Sequence, residues 1–174
     1  MTKPAWDRGG RSLECAIALL LLAGCATSAG PGSGSLAPYS VDGRRYVPVR
    51  QWQGFVEDGL ASWYGRSYEG KPTASGEPFD SHALTAAHPV LPMQACVQVI
   101  NAENHDTVIV RINDRGPFVP GRIIDVSEAA ATDLGMLDEG VARVHLVAIA
   151  SADTRGVCPS APEPPRSAAD QRTH

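Results

Sequence analysis

Residues 107–118 read TVIVRINDRGPF. The β-branched residues of 107–112 favour a strand. Gly116 and Pro117 then favour a turn, because glycine supplies positive φ angles and proline fixes φ for turn positions. Asp114 therefore lies where a well-patterned strand gives way to a turn.

Similar short apolar runs recur on both sides of this stretch, separated by dense turn signals. Strands are predicted over residues 60–64, 83–87, 96–100, 107–112, 123–126 and 141–149. The polar loop 101–106 predicts a hairpin between two of them. Six or more short strands with one small helix indicate an all-β fold, a closed β-barrel.

Two smaller elements complete the predicted domain. Residues 128–134 favour a helix, which Ser127 can cap and Gly135 can end. The pair Asp42-Gly43 predicts a short hairpin near the start of the domain, because both residues tolerate the positive φ angles of a tight turn.

The amino terminus has the form of a lipoprotein signal peptide, predicted over residues 1–24. Its apolar run, 16–23, is too short to span a bilayer, which takes about 20 residues. The sequence LAGC at 22–25 predicts that Cys25 becomes the lipidated first residue; an ordinary signal peptide with a chance cysteine is the alternative. Ala26, not aspartate, follows, which favours the outer membrane, facing the periplasm.

Composition divides the mature chain into three parts. The small residues of 25–38 predict a flexible tether. Residues 39–150 are predicted to form a single domain. Residues 151–174 are a polar tail, expected to be disordered from about Pro159. The formal net charge of −4 argues against a nucleic-acid partner.

The chain has four cysteines. Cys15 leaves with the signal peptide and Cys25 carries lipid, so Cys96 and Cys158 remain in an oxidising compartment. A disulfide between them is plausible there, and two free thiols are the alternative. No Cys/His spacing suggests zinc, and we expect no metal or cofactor.

Three residues are candidates for chemistry: Glu77 after Ser75-Gly76, His88 at a strand end, and Asp114. Cleavage of a glycan needs an acid that protonates the bridging oxygen, and a second carboxylate can stabilise positive charge on the sugar or act as base. Taken singly, each residue is more often a solvated or structural group, so spacing alone does not define this site.

Several segments in order resemble the rare lipoprotein A (RlpA) family of septal-ring lytic transglycosylases. They are GLASWYG at 59–65, TASGE at 73–77, LTAAH at 84–88, VRINDRGPF at 110–118 and GRIIDVS at 121–127, and the resemblance spans about 39–149.

The resemblance implies a six-stranded double-psi β-barrel with one short helix, shared with expansins and family-45 glycoside hydrolases. It also implies cleavage of peptidoglycan glycan strands between N-acetylmuramic acid and N-acetylglucosamine without water, which leaves a 1,6-anhydro end. The family's catalytic acid falls on Asp114, its essential glutamate on Glu77 and its associated histidine on His88. His88 could hold one of these two carboxylates by a hydrogen bond.

Aromatic residues near the motifs are candidate sugar platforms: Trp63, Tyr64, Tyr68 and Phe118. For Trp63 and Phe118, a place in the barrel core is an equal alternative. Arg115 is a further candidate for substrate binding, and it can form a salt bridge with Asp125, most simply a structural one.

The chain departs from the family pattern in two places. Many members carry a C-terminal SPOR domain, and this chain ends in a short polar tail, so the resemblance does not extend to septal recruitment by that route. The usual Leu-Pro-Phe-Gly-Thr is LPMQA at 91–95 here.

Two other functions remain open: a non-catalytic, expansin-like peptidoglycan binder, and an envelope scaffold that recruits division-machinery proteins.

Overall fold

A computed structural model describes residues 36–160 of the protein. The predicted signal peptide, Cys25 and most of the tether lie outside the described residues, as does the tail from residue 161. Among the described residues, no helix is long and apolar enough to cross a membrane.

Within residues 36–160, eight strands and one α-helix follow one another. They are β1 (Tyr39–Val41), β2 (Arg44–Tyr46), β3 (Val56–Trp63), β4 (Thr85–Ala87), β5 (Ala95–Asn101), β6 (Thr107–Asp114), β7 (Arg122–Val126), α1 (Glu128–Asp133) and β8 (Val141–Ser151). A 3-10 turn, Arg66–Tyr68, follows β3. β1 and β2 form a separate hairpin, with Asp42 and Gly43 at positive φ in its turn.

The other six strands close into a barrel in the order β3-β7-β4-β6-β5-β8. The pairs β3–β7 and β4–β6 are parallel, and the remaining pairs are antiparallel. This mixed, closed, six-stranded barrel with one short helix confirms the predicted double-psi β-barrel.

Branched apolar side chains fill the barrel. Along β6, Val108, Val110 and Ile112 are buried and face one way, as the two-residue period of a strand requires. They pack with fully buried residues of three other strands, among them Val97, Val99, Ile124 and Leu146. Because the interior is filled, a substrate can reach the barrel only at its ends or its outer surface.

β3 begins four residues before the predicted strand. Its first residues, Val56-Glu57-Asp58-Gly59, show no apolar alternation, and they are extended because β8 pairs with them from Val56↔Val147 to Ser62↔Val141. Gly59 lets β3 approach β7 closely: a Cβ there would lie 2.5 Å from the side chain of Ile123. Tertiary pairing, not local propensity, sets this boundary.

The helix and the disulfide are where the sequence predicts them. Ser127 accepts a hydrogen bond from the Ala130 N–H at 3.2 Å and caps α1, and Gly135 follows the helix at φ +62°. Cys96 and Cys158 are joined, with their Cα atoms 5.7 Å apart. The start of the tail, residues 152–158, is thereby tied to β5.

Candidate active site

Asp114, at the end of β6, accepts three hydrogen bonds. The Tyr64 hydroxyl donates to Oδ2 at 3.2 Å, and the backbone N–H groups of Ala74 and Arg115 each donate to Oδ1 at 2.8 Å. These donors come from three separate segments of the chain. They fix the orientation of a half-buried carboxylate at one end of the barrel.

Glu77 ends a tight turn that begins at Thr73. The Thr73 N–H and hydroxyl both donate to the Glu77 carbonyl, at 2.8 and 2.9 Å, and Gly76 adopts φ +92° within the turn. The Glu77 carboxylate then accepts from Arg111 Nη1 at 2.8 Å and from Asn113 Nδ2 at 2.6 Å. About a third of the Glu77 side chain, 35%, stays exposed.

The two carboxylates belong to one end of the barrel. Ala74, from the turn that carries Glu77, donates to Asp114, and Asn113, the neighbour of Asp114, donates to Glu77. The Ser75 N–H also donates to the Asn113 carbonyl at 3.0 Å. The structure thus brings together two sequence-predicted residues that are far apart in the chain.

His88 is buried and has a defined tautomer. Its Nδ1 accepts from the N–H groups of Val90 and Leu91, at 3.2 and 3.0 Å, so the proton of the neutral ring lies on Nε2. Nε2 lies 3.1 Å from Glu57 Oε2, to which it donates. Burial lowers the pKa of His88, and the hydrogen bond to Glu57 opposes that shift.

The predicted partner of His88 therefore needs correction. Its ring binds the carboxylate of Glu57 and not that of Glu77 or Asp114. Only its backbone meets the end of β6, where the His88 N–H donates to the Asp114 carbonyl at 3.2 Å. His88 supports the loop beside Asp114 because its ring satisfies the N–H groups that follow it.

The salt bridge expected between Arg115 and Asp125 is absent. Arg115 Nη1 donates instead to the carbonyls of His88, at 3.1 Å, and Leu91, and burial lowers the pKa of the guanidinium. Asp125 is held by Arg122 and by the Ser62 hydroxyl. These bonds hold the Arg115 side chain against the 88–91 loop.

Of the four candidate sugar platforms, Tyr68 is the most open, with 49% exposure. Tyr64 packs between Tyr68 and Phe79, with ring centroids 5.4 and 5.2 Å away. Burial and the neighbouring Asp114 raise the pKa of Tyr64, which keeps its hydroxyl protonated as a donor.

Trp63 and Phe118 have more structural surroundings. Trp63 is partly buried and packs against the hydrophobic core of the barrel. Phe118 meets the rings of the β1–β2 hairpin, 5.2 Å from Tyr46 and 6.3 Å from Tyr39. The Tyr39 hydroxyl donates to the Pro89 carbonyl at 2.6 Å, so the hairpin lies across the 88–91 loop.

Sequence reasoning missed Glu57, Arg111 and Asn113. Arg111 and Asn113 are two positions apart on a strand, so they share a face, and that alternation was the available signal. No sequence pattern indicated Glu57, because the first part of its strand is extended only through pairing with β8. Among residues 36–160, no group of three or more His, Cys, Asp or Glu side chains could hold a metal ion.

The barrel and its carboxylate-bearing end define a double-psi β-barrel protein with two carboxylates as a candidate active site. The model of the lytic transglycolase family matches residues 56–146, and the chain belongs to this family. The resemblance to the rare lipoprotein A family is thereby confirmed.

Curated relatives share this domain. The chain is 49% identical over 115 residues to a Helicobacter pylori (strain J99) protein named endolytic peptidoglycan transglycosylase RlpA, covering 66% of this chain and 37% of that protein. It is 50% identical over 108 residues to a Neisseria meningitidis serogroup A protein of the same name, covering 62% and 45%. The chain thus spans less than half the length of either relative.

The comparison with solved structures matches one inhibitor. The Streptomyces papain inhibitor is 25% identical, with a TM-score of 0.47, over 56% of this chain and 97% of that one.

Proposed function

We propose that this protein is an endolytic peptidoglycan transglycosylase that cleaves the bond between N-acetylmuramic acid and N-acetylglucosamine and leaves a 1,6-anhydro end. The observation that carries the proposal is the joint anchoring of Asp114 and Glu77 at one end of the barrel. The names of the relatives support the same activity.

In the proposed mechanism, Asp114 is the acid and then the base. Its protonated carboxyl gives a proton to O4 of the leaving N-acetylglucosamine as the bond from C1 to O4 breaks. The C6 hydroxyl of the muramyl sugar attacks C1 and loses its proton to the ionised Asp114. Asp114 is thereby regenerated, and no water is consumed.

Glu77 has a different role in this mechanism. Its carboxylate accepts two hydrogen bonds on Oε1, from Arg111 and Asn113, and part of it faces solvent. A fixed negative charge there stabilises positive charge as it develops at C1. Tyr68, as the most exposed aromatic ring of the site, is the best candidate to stack on a sugar.

The proposed location is the cell envelope. Cys25 carries the lipid in this proposal and holds the domain to the outer membrane on its periplasmic side, where peptidoglycan lies. The support for this is the sequence pattern of residues 1–25.

The decisive experiment uses the soluble protein from residue 36 onward and purified peptidoglycan glycan strands. Mass spectrometry of the digest should show fragments that end in 1,6-anhydro-N-acetylmuramic acid, and the Asp114→Asn variant should release almost none. Binding of the strands without any 1,6-anhydro product would reject the enzyme and favour the expansin-like binder. A protein that neither binds nor cleaves the strands would favour the envelope scaffold.

A further inference from the structure

Arg111 connects the candidate site to the outer wall of the barrel. Its Nη1 donates to Glu77 Oε1 at 2.8 Å, and the Gln94 Oε1 lies 3.5 Å from the same nitrogen. The Arg111 side chain is only 14% exposed. The long, charged side chain of Arg111 is thus mostly buried beside the more exposed carboxylate of Glu77.

Gly156 packs against the Arg111 side chain and belongs to the C-terminal turn, which we define as residues 152–158. A Cβ built on Gly156 would lie 3.4 Å from Arg111 Nε, so the Gly156 backbone packs on the guanidinium. Gly156 has φ +77°, in a turn closed by the Asp153 N–H donating to the Val157 carbonyl at 2.9 Å.

Two attachments hold the C-terminal turn in this place. At its start, the Ala152 N–H donates to the Gln94 carbonyl at 2.8 Å. At its end, Cys158 is bonded to Cys96, and Cys96 is the direct partner of Arg111 across the β5–β6 pair. The disulfide therefore fixes the turn over the residue that binds Glu77.

We infer that Arg111 is a positioning residue for Glu77 and that the disulfide-held C-terminal turn keeps Arg111 in its binding position. This inference rests on the proposed catalytic role of Glu77. It gives the Cys96–Cys158 bond a part in catalysis in addition to its effect on stability. When the bond is broken, the turn leaves Arg111, and Glu77 loses one of its two side-chain donors.

The activity test compares the Cys96→Ser/Cys158→Ser variant with the wild type in glycan cleavage. Below the unfolding temperature of both proteins, kcat should fall about 10- to 100-fold, because catalytic groups tolerate little misplacement. In a Glu77→Gln background, the same two substitutions should cause no further loss. An equal loss in both backgrounds would overturn the inference.

A matched control separates positioning from general destabilisation. Val144→Ala removes buried volume on β8, opposite Asn101 at the far end of β5 from Cys96. It should lower the unfolding temperature and leave kcat within about twofold of wild type, since a folded enzyme keeps its site geometry. Equal kcat losses in the control and in the disulfide variant would also overturn the inference.

A spectroscopic test is independent of turnover. The Arg111 Nε–H resonance, identified by its disappearance in Arg111→Lys, should shift when the disulfide is removed or when wild-type protein is reduced with dithiothreitol. An unmoved resonance would overturn the inference even if activity falls. If the wild type forms no 1,6-anhydro product at all, the proposed function fails, and this resonance alone decides whether the C-terminal turn positions Arg111.

Discussion

His88 Nε2 lies 3.1 Å from Glu57 Oε2, while its Nδ1 accepts the N–H groups of Val90 and Leu91. Both ring nitrogens thus have hydrogen-bond partners when the ring is neutral. A second proton, on Nδ1, would face two N–H donors and break both hydrogen bonds. His88 is therefore a neutral structural element of the loop beside the candidate site.

The first prediction concerns pH and stability. The folded-state pKa of His88 lies below its ordinary value of 6.5 because the ring is buried. The unfolded chain then binds more protons at this position below pH 6.5, so its contribution to stability is complete above pH 6.5 and is lost as the pH falls.

Denaturant unfolding of wild type and of His88→Asn between pH 7.5 and 5 measures this contribution. Asparagine keeps an acceptor and does not titrate. The free energy of unfolding should fall more steeply in wild type, by up to about 1.4 kcal/mol per pH unit. Parallel curves would contradict the neutral assignment of His88. If His88→Asn does not fold, Glu57→Gln serves: without the opposing carboxylate, the decline should begin at the same pH and extend to lower pH.

The second prediction separates the roles of the two carboxylates. Asp114→Asn keeps the shape and removes the transferable proton, so cleavage should fall about 100-fold or more while glycan binding changes little. Glu77→Gln should also slow cleavage, because it removes the negative charge near C1. Wild-type rates in Asp114→Asn would mean that Asp114 is not the acid.

The third prediction concerns the Tyr64 hydroxyl, which donates to Asp114 Oδ2 at 3.2 Å. Tyr64→Phe keeps the ring and removes the donor. We expect about a 10-fold loss in kcat, equivalent to about 1.4 kcal/mol, which is the order of one net hydrogen bond. Tyr46→Phe, in the hairpin, is the control and should retain the wild-type rate. Equal rates in all three proteins would show that this hydrogen bond does not contribute.

The fourth prediction concerns the Cys96–Cys158 bond and stability. It closes a loop with a sequence separation of 62 residues. In the chain-entropy model, Cys96→Ser/Cys158→Ser should therefore lower the free energy of unfolding by about 4 kcal/mol. Denaturant titration measures the loss. Reaction of both cysteines with a thiol reagent in unreduced, denatured wild type would refute the bond.

The fifth prediction tests the proposed anchor. Cys25→Ser should abolish metabolic labelling with a fatty acid and leave the protein unanchored, because the thiol is the acceptor of lipid. Cys15→Ser is the matched control, since it lies within the predicted signal peptide and should leave labelling unchanged. Persistent labelling of Cys25→Ser would reject the assignment of Cys25.

The elements that the sequence predicted correctly are those with local causes. Residues 107–112 show a strand pattern, and β6 forms there and runs on to Asp114. Ser127 and Gly135 bound α1 as expected, because a cap and a positive-φ glycine act within a few residues of their position. The family resemblance was recognised from several ordered segments between residues 59 and 127, of which 110–118 is one.

The contacts that the sequence left undetermined join distant residues. Glu57 and His88 are 31 positions apart, and Arg111 and Glu77 are 34 apart. No local pattern encodes such pairs, since they exist only when strands distant in the chain close into one barrel. The same reason explains the early start of β3 and the partners of Arg115. Local sequence thus determined most of the elements, and the family resemblance identified the candidate carboxylates. Barrel closure decided which groups hold those carboxylates, because each of these contacts depends on the register of the strands.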